Sequence, residues 1–131
     1  MAHDYACRVM QHSCGSVLAI LSDYVEDGVD VLDPVQIGAA GMGLDGLLSD
    51  FGTRLCFHGG ADMQHTLALN QWLRDSSTSL SGTPAEVRAM VRAHRELTRA
   101  RGGYIMTSSQ DLVADIPDDG TLAMHEENAA G

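Results

Sequence analysis

Two hydrophobic periods take turns along this chain. Short apolar runs, of the kind that fill buried strands, alternate with stretches whose apolar residues recur every three or four positions. Val9-Met10 is a first short run and leads into His12-Ser13-Cys14-Gly15. Val17-Leu18-Ala19-Ile20-Leu21 and Tyr24-Val25 follow with the spacing of an amphipathic helix that stops near Gly28. Val29-Asp30-Val31-Leu32 predicts a buried strand ended by Asp33-Pro34. Leu44, Leu47, Leu48 and Phe51 line one side of a short helix, with Gly52 as the left-handed residue past its end. Arg54-Leu55-Cys56-Phe57 predicts a third strand, halted by His58-Gly59-Gly60. Further on, Thr83-Pro84-Ala85-Glu86 combines an N-cap, a first-turn proline and a glutamate three residues after the cap. It launches a helix predicted to run to about Arg101 and to end at Gly102-Gly103. Tyr104-Ile105-Met106 is a fourth strand, and a last short helix is predicted from Leu122 to Asn128.

Four consecutive strand–helix units predict an α/β fold of parallel strands with covering helices. They form either a small open sheet or half of an eight-stranded barrel. Polar and glycine-rich residues collect just after each strand: His12 and Cys14, Asp33 and Gln36, His58 and Asp62, then Ser108, Ser109 and Gln110. These positions share the C-terminal rim, where barrels and open sheets alike bind their ligands.

Composition narrows the classes. The 131 residues are 44% hydrophobic, enough for the core of one domain. No apolar run approaches the ~18 residues of a membrane span. Met1-Ala2-His3-Asp4 lacks the basic start and apolar stretch of a secretory signal, so a soluble cytoplasmic protein is expected. The net charge is −10 and all eight basic residues are arginines. Such a surface argues against nucleic acid and anionic membrane as partners. Arg88, Arg92, Arg95 and Arg99 recur at helical spacing with no aromatics among them, which predicts a solvated helix face. Cys7, Cys14 and Cys56 are odd in number and predict a reducing compartment without a disulfide framework.

Among the rim residues, His12 and Cys14 carry the most specific chemistry. Two residues apart on a strand, their side chains share a face, and imidazole with thiolate suits zinc. The plainer alternative is a satisfied core histidine beside a buried cysteine. Cys56 reads as a small core residue or, with the better placed His58, as a substitute ligand. Asp33 either orients a ligand or a histidine, or caps the loop that follows it. Asp62 and Gln64 come just after a double glycine, which either lets backbone approach a ligand or makes a turn. His65, His94 and His125 are expected to be solvent-exposed and away from the rim.

The series HSCGSV, GVDVLDPVQ, DFGTRLCFHGGADMQ, TPAEVRAMV and GGYIMTSSQ…IP resembles, in order from about Arg8 to Met124, the C-terminal half of the uroporphyrinogen decarboxylase superfamily. The resemblance implies a (β/α)8 barrel of roughly 250 residues or more. Residues 1–131 would then be a partial barrel domain supplying the last four units. The N-terminal half is expected from a longer reading frame or from another chain, and self-association or a partner half-barrel is the expected assembly. Residues 69–81, which include the single Trp72, depart from the family as an insert loop.

The superfamily's methyltransferase branch, which serves corrinoid proteins and coenzyme M, binds zinc through a His-x-Cys pair and a distant cysteine after the last strand. His12 and Cys14 match the pair. The third ligand is expected near Ser109, where no cysteine stands. The resemblance thus implies zinc-assisted methyl transfer with a corrinoid as substrate or partner group, and Asp33, Gln36, His58 and Asp62 are the candidate catalytic residues. The runner-up is uroporphyrinogen decarboxylation, a lyase step of porphyrin biosynthesis. Its polyanionic substrate needs cationic groups, and the rim segments here carry almost no arginine. The third-strand motif is His58-Gly59-Gly60-Ala61-Asp62 rather than the decarboxylases' Gly-Asn-Leu-Asp-Pro pattern, and Ser108-Ser109-Gln110 replaces their Gly-His-Gly turn. A non-catalytic half-barrel remnant is the third reading.

Overall fold

In a computed structural model, which describes residues 2–61, 83–109, 111 and 117–130, four strands and four helices alternate. The strands are β1 (Met10–His12), β2 (Val31–Val35), β3 (Cys56–Ala61) and β4 (Tyr104–Ser108). The helices are α1 (Leu21–Glu26), α2 (Leu44–Phe51), α3 (Pro84–Thr98) and α4 (Asp118–Ala129). All neighbouring strands are parallel, and the sheet order is β1-β2-β3-β4, the order of the sequence.

Both hydrophobic cores lie on one face of this sheet. Leu32, Val35 and Phe57 are fully buried against Val17, Leu21, Met42 and the α2 residues Leu44, Leu47, Leu48 and Phe51. Burying each such side chain contributes about 1.5–3 kcal/mol. Ala61 packs with Val87 and Val91 of α3 and Ala123 and Met124 of α4. Tyr104 and Met106, two residues apart on β4, point the same way; Tyr104 joins the first core and Met106 the second. The opposite face has no layer over it among the described residues. Met10 is 53% exposed there and Ile105 49%.

The helix boundaries follow local chemistry. Thr83 Oγ1 accepts from the Glu86 amide at 3.3 Å, and Glu86 Oε2 accepts from the Thr83 amide at 2.6 Å, so the expected capping box forms. The helix predicted over Val17 to Val25 is split into a 3-10 turn, Leu18–Ile20, and the short α1. Gly52 ends α2 as expected, but with a right-handed φ of −62°. The last helix is longer than predicted: α4 begins at Asp118, four residues before Leu122, and extends to Ala129.

Three further expectations need correction. Asp33-Pro34 and His58-Gly59-Gly60 do not end their strands; β2 and β3 run through them, to Val35 and Ala61. His94 is only 8% exposed, since its position on α3 faces Tyr104 and not solvent. The arginine row is only partly solvated. Arg88 pairs with Glu126 at 2.6 Å, Arg92 with Glu127 at 3.5 Å, and Arg95 donates to the Glu127 carbonyl at 3.0 Å, so the row joins α3 to α4. Among the described residues no helix is long and apolar enough to cross a membrane. The 69–81 insert, with Trp72, and His65 lie outside the described residues.

Candidate functional site

The register of the sheet assembles the site. His12 is paired with Asp33 across β1 and β2, so their side chains share a face. Between Leu32 and Val35, β2 advances three residues while β3 advances only the two from Phe57 to Gly59. The extra residue is a bulge at Asp33-Pro34, a place where a residue without an N–H is tolerated inside a sheet. Gly59 accommodates it. Its φ is +117°, and a Cβ there would sit 2.8 Å from the Val35 amide nitrogen. Because Leu32 is paired with Phe57 before the bulge, Asp33 and His58 turn to the same face, the one that carries no helices, and Asp33 stands between His12 and His58.

Asp33 holds both imidazoles. His12 Nδ1 lies 2.9 Å from Oδ2, and His58 Nδ1 lies 2.6 Å from Oδ1. Partial burial opposes the charge on Asp33, but the hydrogen bonds from His12 and His58 outweigh it and hold the carboxyl below its ordinary value. An ionised carboxylate only accepts, so each histidine donates through Nδ1–H. In the neutral ring the lone pair then sits on Nε2.

For His12 that lone pair meets a thiol. Cys14 Sγ is 3.5 Å from His12 Nε2. Zinc bonds of about 2.3 Å to sulfur and about 2.0–2.1 Å to nitrogen, at a tetrahedral angle, set two such donors about 3.5 Å apart. The pair therefore has the spacing of one edge of a zinc tetrahedron, with a carboxylate behind the imidazole, as metal-binding histidines usually have. His12 is exposed, with 62% of its side chain open to solvent, against 28% for His58 and 21% for Asp33. The site opens outward at the ends of β1 to β3.

Gln36 contributes from one step away. Its Oε1 accepts from the Gly15 amide at 2.9 Å, and Ser16 Oγ donates to the Ala40 carbonyl at 2.6 Å. Gly15 turns with φ +78°, and these two bonds tie the loop after Cys14 to the loop after β2. Gln36 thus braces the cysteine's loop.

The remaining candidates separate. Ser109, near which a third ligand was expected, is 4% exposed, and its hydroxyl donates to the Ala61 carbonyl at 2.7 Å. Cys56 is paired with Val31, two residues below His58 along β3 and away from the rim. Burial pushes its thiol up, which keeps it protonated. Among the described residues no three His, Cys, Asp or Glu side chains converge to hold a metal. Asp62 lies outside the described residues.

Behind β3, one contact was not foreseen. Tyr104 OH donates to the Gly59 carbonyl at 2.9 Å and lies 3.1 Å from His94 Nδ1. Burial pushes the tyrosine up and the histidine down, so both stay neutral. This chain pins the backbone next to His58 from the helical side. No family model matches the chain, nor does any curated protein or solved structure.

Proposed function

We propose that this chain is the C-terminal half of a (β/α)8 barrel of the uroporphyrinogen decarboxylase superfamily. In this reading its rim carries His12 and Cys14 as two of the three protein ligands of a methyltransferase-type zinc site, serving methyl transfer that involves a corrinoid or a thiol. The observation that carries the reading is the 3.5 Å spacing of His12 Nε2 and Cys14 Sγ, with Asp33 on the far side of the ring. Bound there, zinc would lower the pKa of a substrate thiol and make it a better nucleophile. The chain's own part is to present a cysteine sulfur and a correctly oriented imidazole, with Gln36 bracing the loop that follows the cysteine.

The sheet favours a barrel over a doubly wound layer. A doubly wound sheet reverses its strand order and carries helices on both faces. Here the order is sequential and both cores lie on one side. The bare face and two open edges would be covered by four further strands, from more of the same chain, a second copy or a partner. Uroporphyrinogen decarboxylation is less well supported, because the described rim segments contain no arginine to meet a polyanionic substrate.

The test is metal analysis of protein produced with added zinc, alone and together with any upstream half-barrel. The expected result is about one zinc per chain, lost in Cys14→Ser, with thiol-dependent demethylation of methylcobalamin by the complete assembly. Trace zinc that Cys14→Ser leaves unchanged would sink the metal reading. An assembled barrel that binds no zinc and turns over neither methylcobalamin nor uroporphyrinogen would leave the remnant reading standing.

A further inference from the structure

We propose that His58 is a positioning residue for the His12–Cys14 pair: it fixes the Asp33 carboxylate, which in turn fixes His12 as an Nε2 donor facing Cys14. The inference rests on the metal reading of that pair and departs from the expectation that His58 substitutes for a missing ligand.

The geometry carries the argument. A carboxylate bound at one oxygen can still swing about its side-chain torsions, and its hold on an exposed imidazole loosens accordingly. Asp33 is bound at both oxygens, by His12 at 2.9 Å on Oδ2 and by His58 at 2.6 Å on Oδ1. The His58 contact is the shorter one, and its ring is more buried than that of His12, 28% exposed against 62%. His58 is therefore the fixed end of the relay and His12 the free end. The backbone is shaped to make this contact. Leu32 is paired with Phe57, so the next residues along β2 and β3, Asp33 and His58, meet on the bare face, and Gly59 takes a conformation closed to other residues to admit the bulge that follows. His58 spends its Nδ1–H on Asp33, and no three-ligand cluster forms with it among the described residues.

The two roles use different nitrogens, and that makes them separable. An asparagine at position 58 can place its amide N–H near the Nδ1 position, but offers nothing at Nε2. A phenylalanine fills the same space and offers neither. The experiment uses the full chain as His58→Asn and His58→Phe, with circular dichroism to check folding. Two readouts are taken. One is the nitrogen-15 shift pattern of the His12 ring in metal-free protein, which reports which ring nitrogen carries the proton. The other is cobalt(II) titration, followed by its thiolate charge-transfer absorption.

The expected result is an Nδ1–H tautomer at His12 in the parent and in His58→Asn, and a tautomer mixture in His58→Phe. Cobalt affinity should fall by about 10–100-fold in His58→Phe and stay within about threefold in His58→Asn. An unchanged His12 tautomer in a folded His58→Phe chain overturns the proposal. So does an equal loss of cobalt in both variants, which would make His58 a ligand. If the parent binds no cobalt yet the tautomer pattern appears, the positioning role stands and the metal reading of the pair fails.

Discussion

Asp30 and Asp33 stand three residues apart at the two ends of the same strand region, and each holds several partners. Asp30 accepts from the Val9 amide and from Arg8, both at 2.8 Å, and lies 2.7 Å from His3 Nε2. Asp33 holds His12 and His58. The difference lies in what the partners have left to give. A backbone amide and a guanidinium end at the carboxylate, so Asp30 closes a latch between the N-terminal segment and β2. An imidazole passes the contact on, because fixing Nδ1 aims Nε2 elsewhere. A carboxylate held mainly by terminal donors, as Asp30 is by the Val9 amide and Arg8 beside His3, is a fastening; one that meets only histidines is a means of aiming two further nitrogens. This contrast places the candidate chemistry at the rim end of β2 and not at its start.

The contrast is broken most directly at Asp33. Asp33→Ala removes the acceptor common to both histidines, and cobalt affinity at the His12–Cys14 pair is expected to fall by about 10–100-fold. Global stability should change modestly, because both histidines meet Asp33 on a face that is at least partly open to solvent. Cobalt titration beside thermal melting checks both halves. If Asp33→Ala instead unfolds the chain while leaving any remaining metal affinity intact, Asp33 is a fastening like Asp30 and the contrast collapses.

A smaller effect is expected behind the site. Tyr104→Phe leaves the buried Gly59 carbonyl without its donor and is expected to cost about 1–3 kcal/mol, read by denaturant melts. The same contact predicts a pH dependence. Burial lowers the pKa of His94 in the folded chain, so its contribution is complete above the unfolded value of about 6.5 and is lost as pH falls through the lower folded value. Melting temperature should therefore drop on acidification from pH 7.5 toward 5, and less steeply in His94→Gln. Equal slopes in the two proteins would show that His94 is not held neutral by its surroundings.

Much of this was legible in the sequence, for identifiable reasons. Strand and helix periods are local, so Leu44, Leu47, Leu48 and Phe51 announced α2, and Thr83 with Glu86 announced the start of α3. His12 and Cys14 could be placed together because they are two residues apart, although β1 ends at His12 and Cys14 meets it from the segment just past the strand. The partnership of Asp33 with His58 depends on the register between two strands, across 25 residues of sequence, and no local pattern encodes that register. Asp33-Pro34 and His58-Gly59-Gly60 read as strand ends because proline and glycine usually punctuate; here they shape strands that continue. His94 was misplaced for a related reason. A histidine on an arginine-rich helix reads as solvated until a tyrosine ten residues later on β4 is found beneath it.

The smallest expected effect sharpens the contrast from the other end. In the folded chain the Val9 amide, His3 and Arg8 hold the Asp30 carboxyl well below the usual carboxylate range. A depressed carboxylate pKa contributes stability above the unfolded value of about 3.9 and loses it as pH falls through the folded value. Asp30→Asn should thus lower the melting temperature modestly near neutral pH, where the ion pairs with Arg8 and with any protonated His3 are lost. The gap to the parent should narrow steadily as the solution is acidified below pH 4. Cobalt affinity at the rim should not move, since Asp30 sits at the opposite end of the strand and touches neither His12 nor His58. A variant that loses metal affinity along with stability would mean that the latch and the rim are coupled through β2, and that the strand between the two carboxylates transmits strain instead of isolating them.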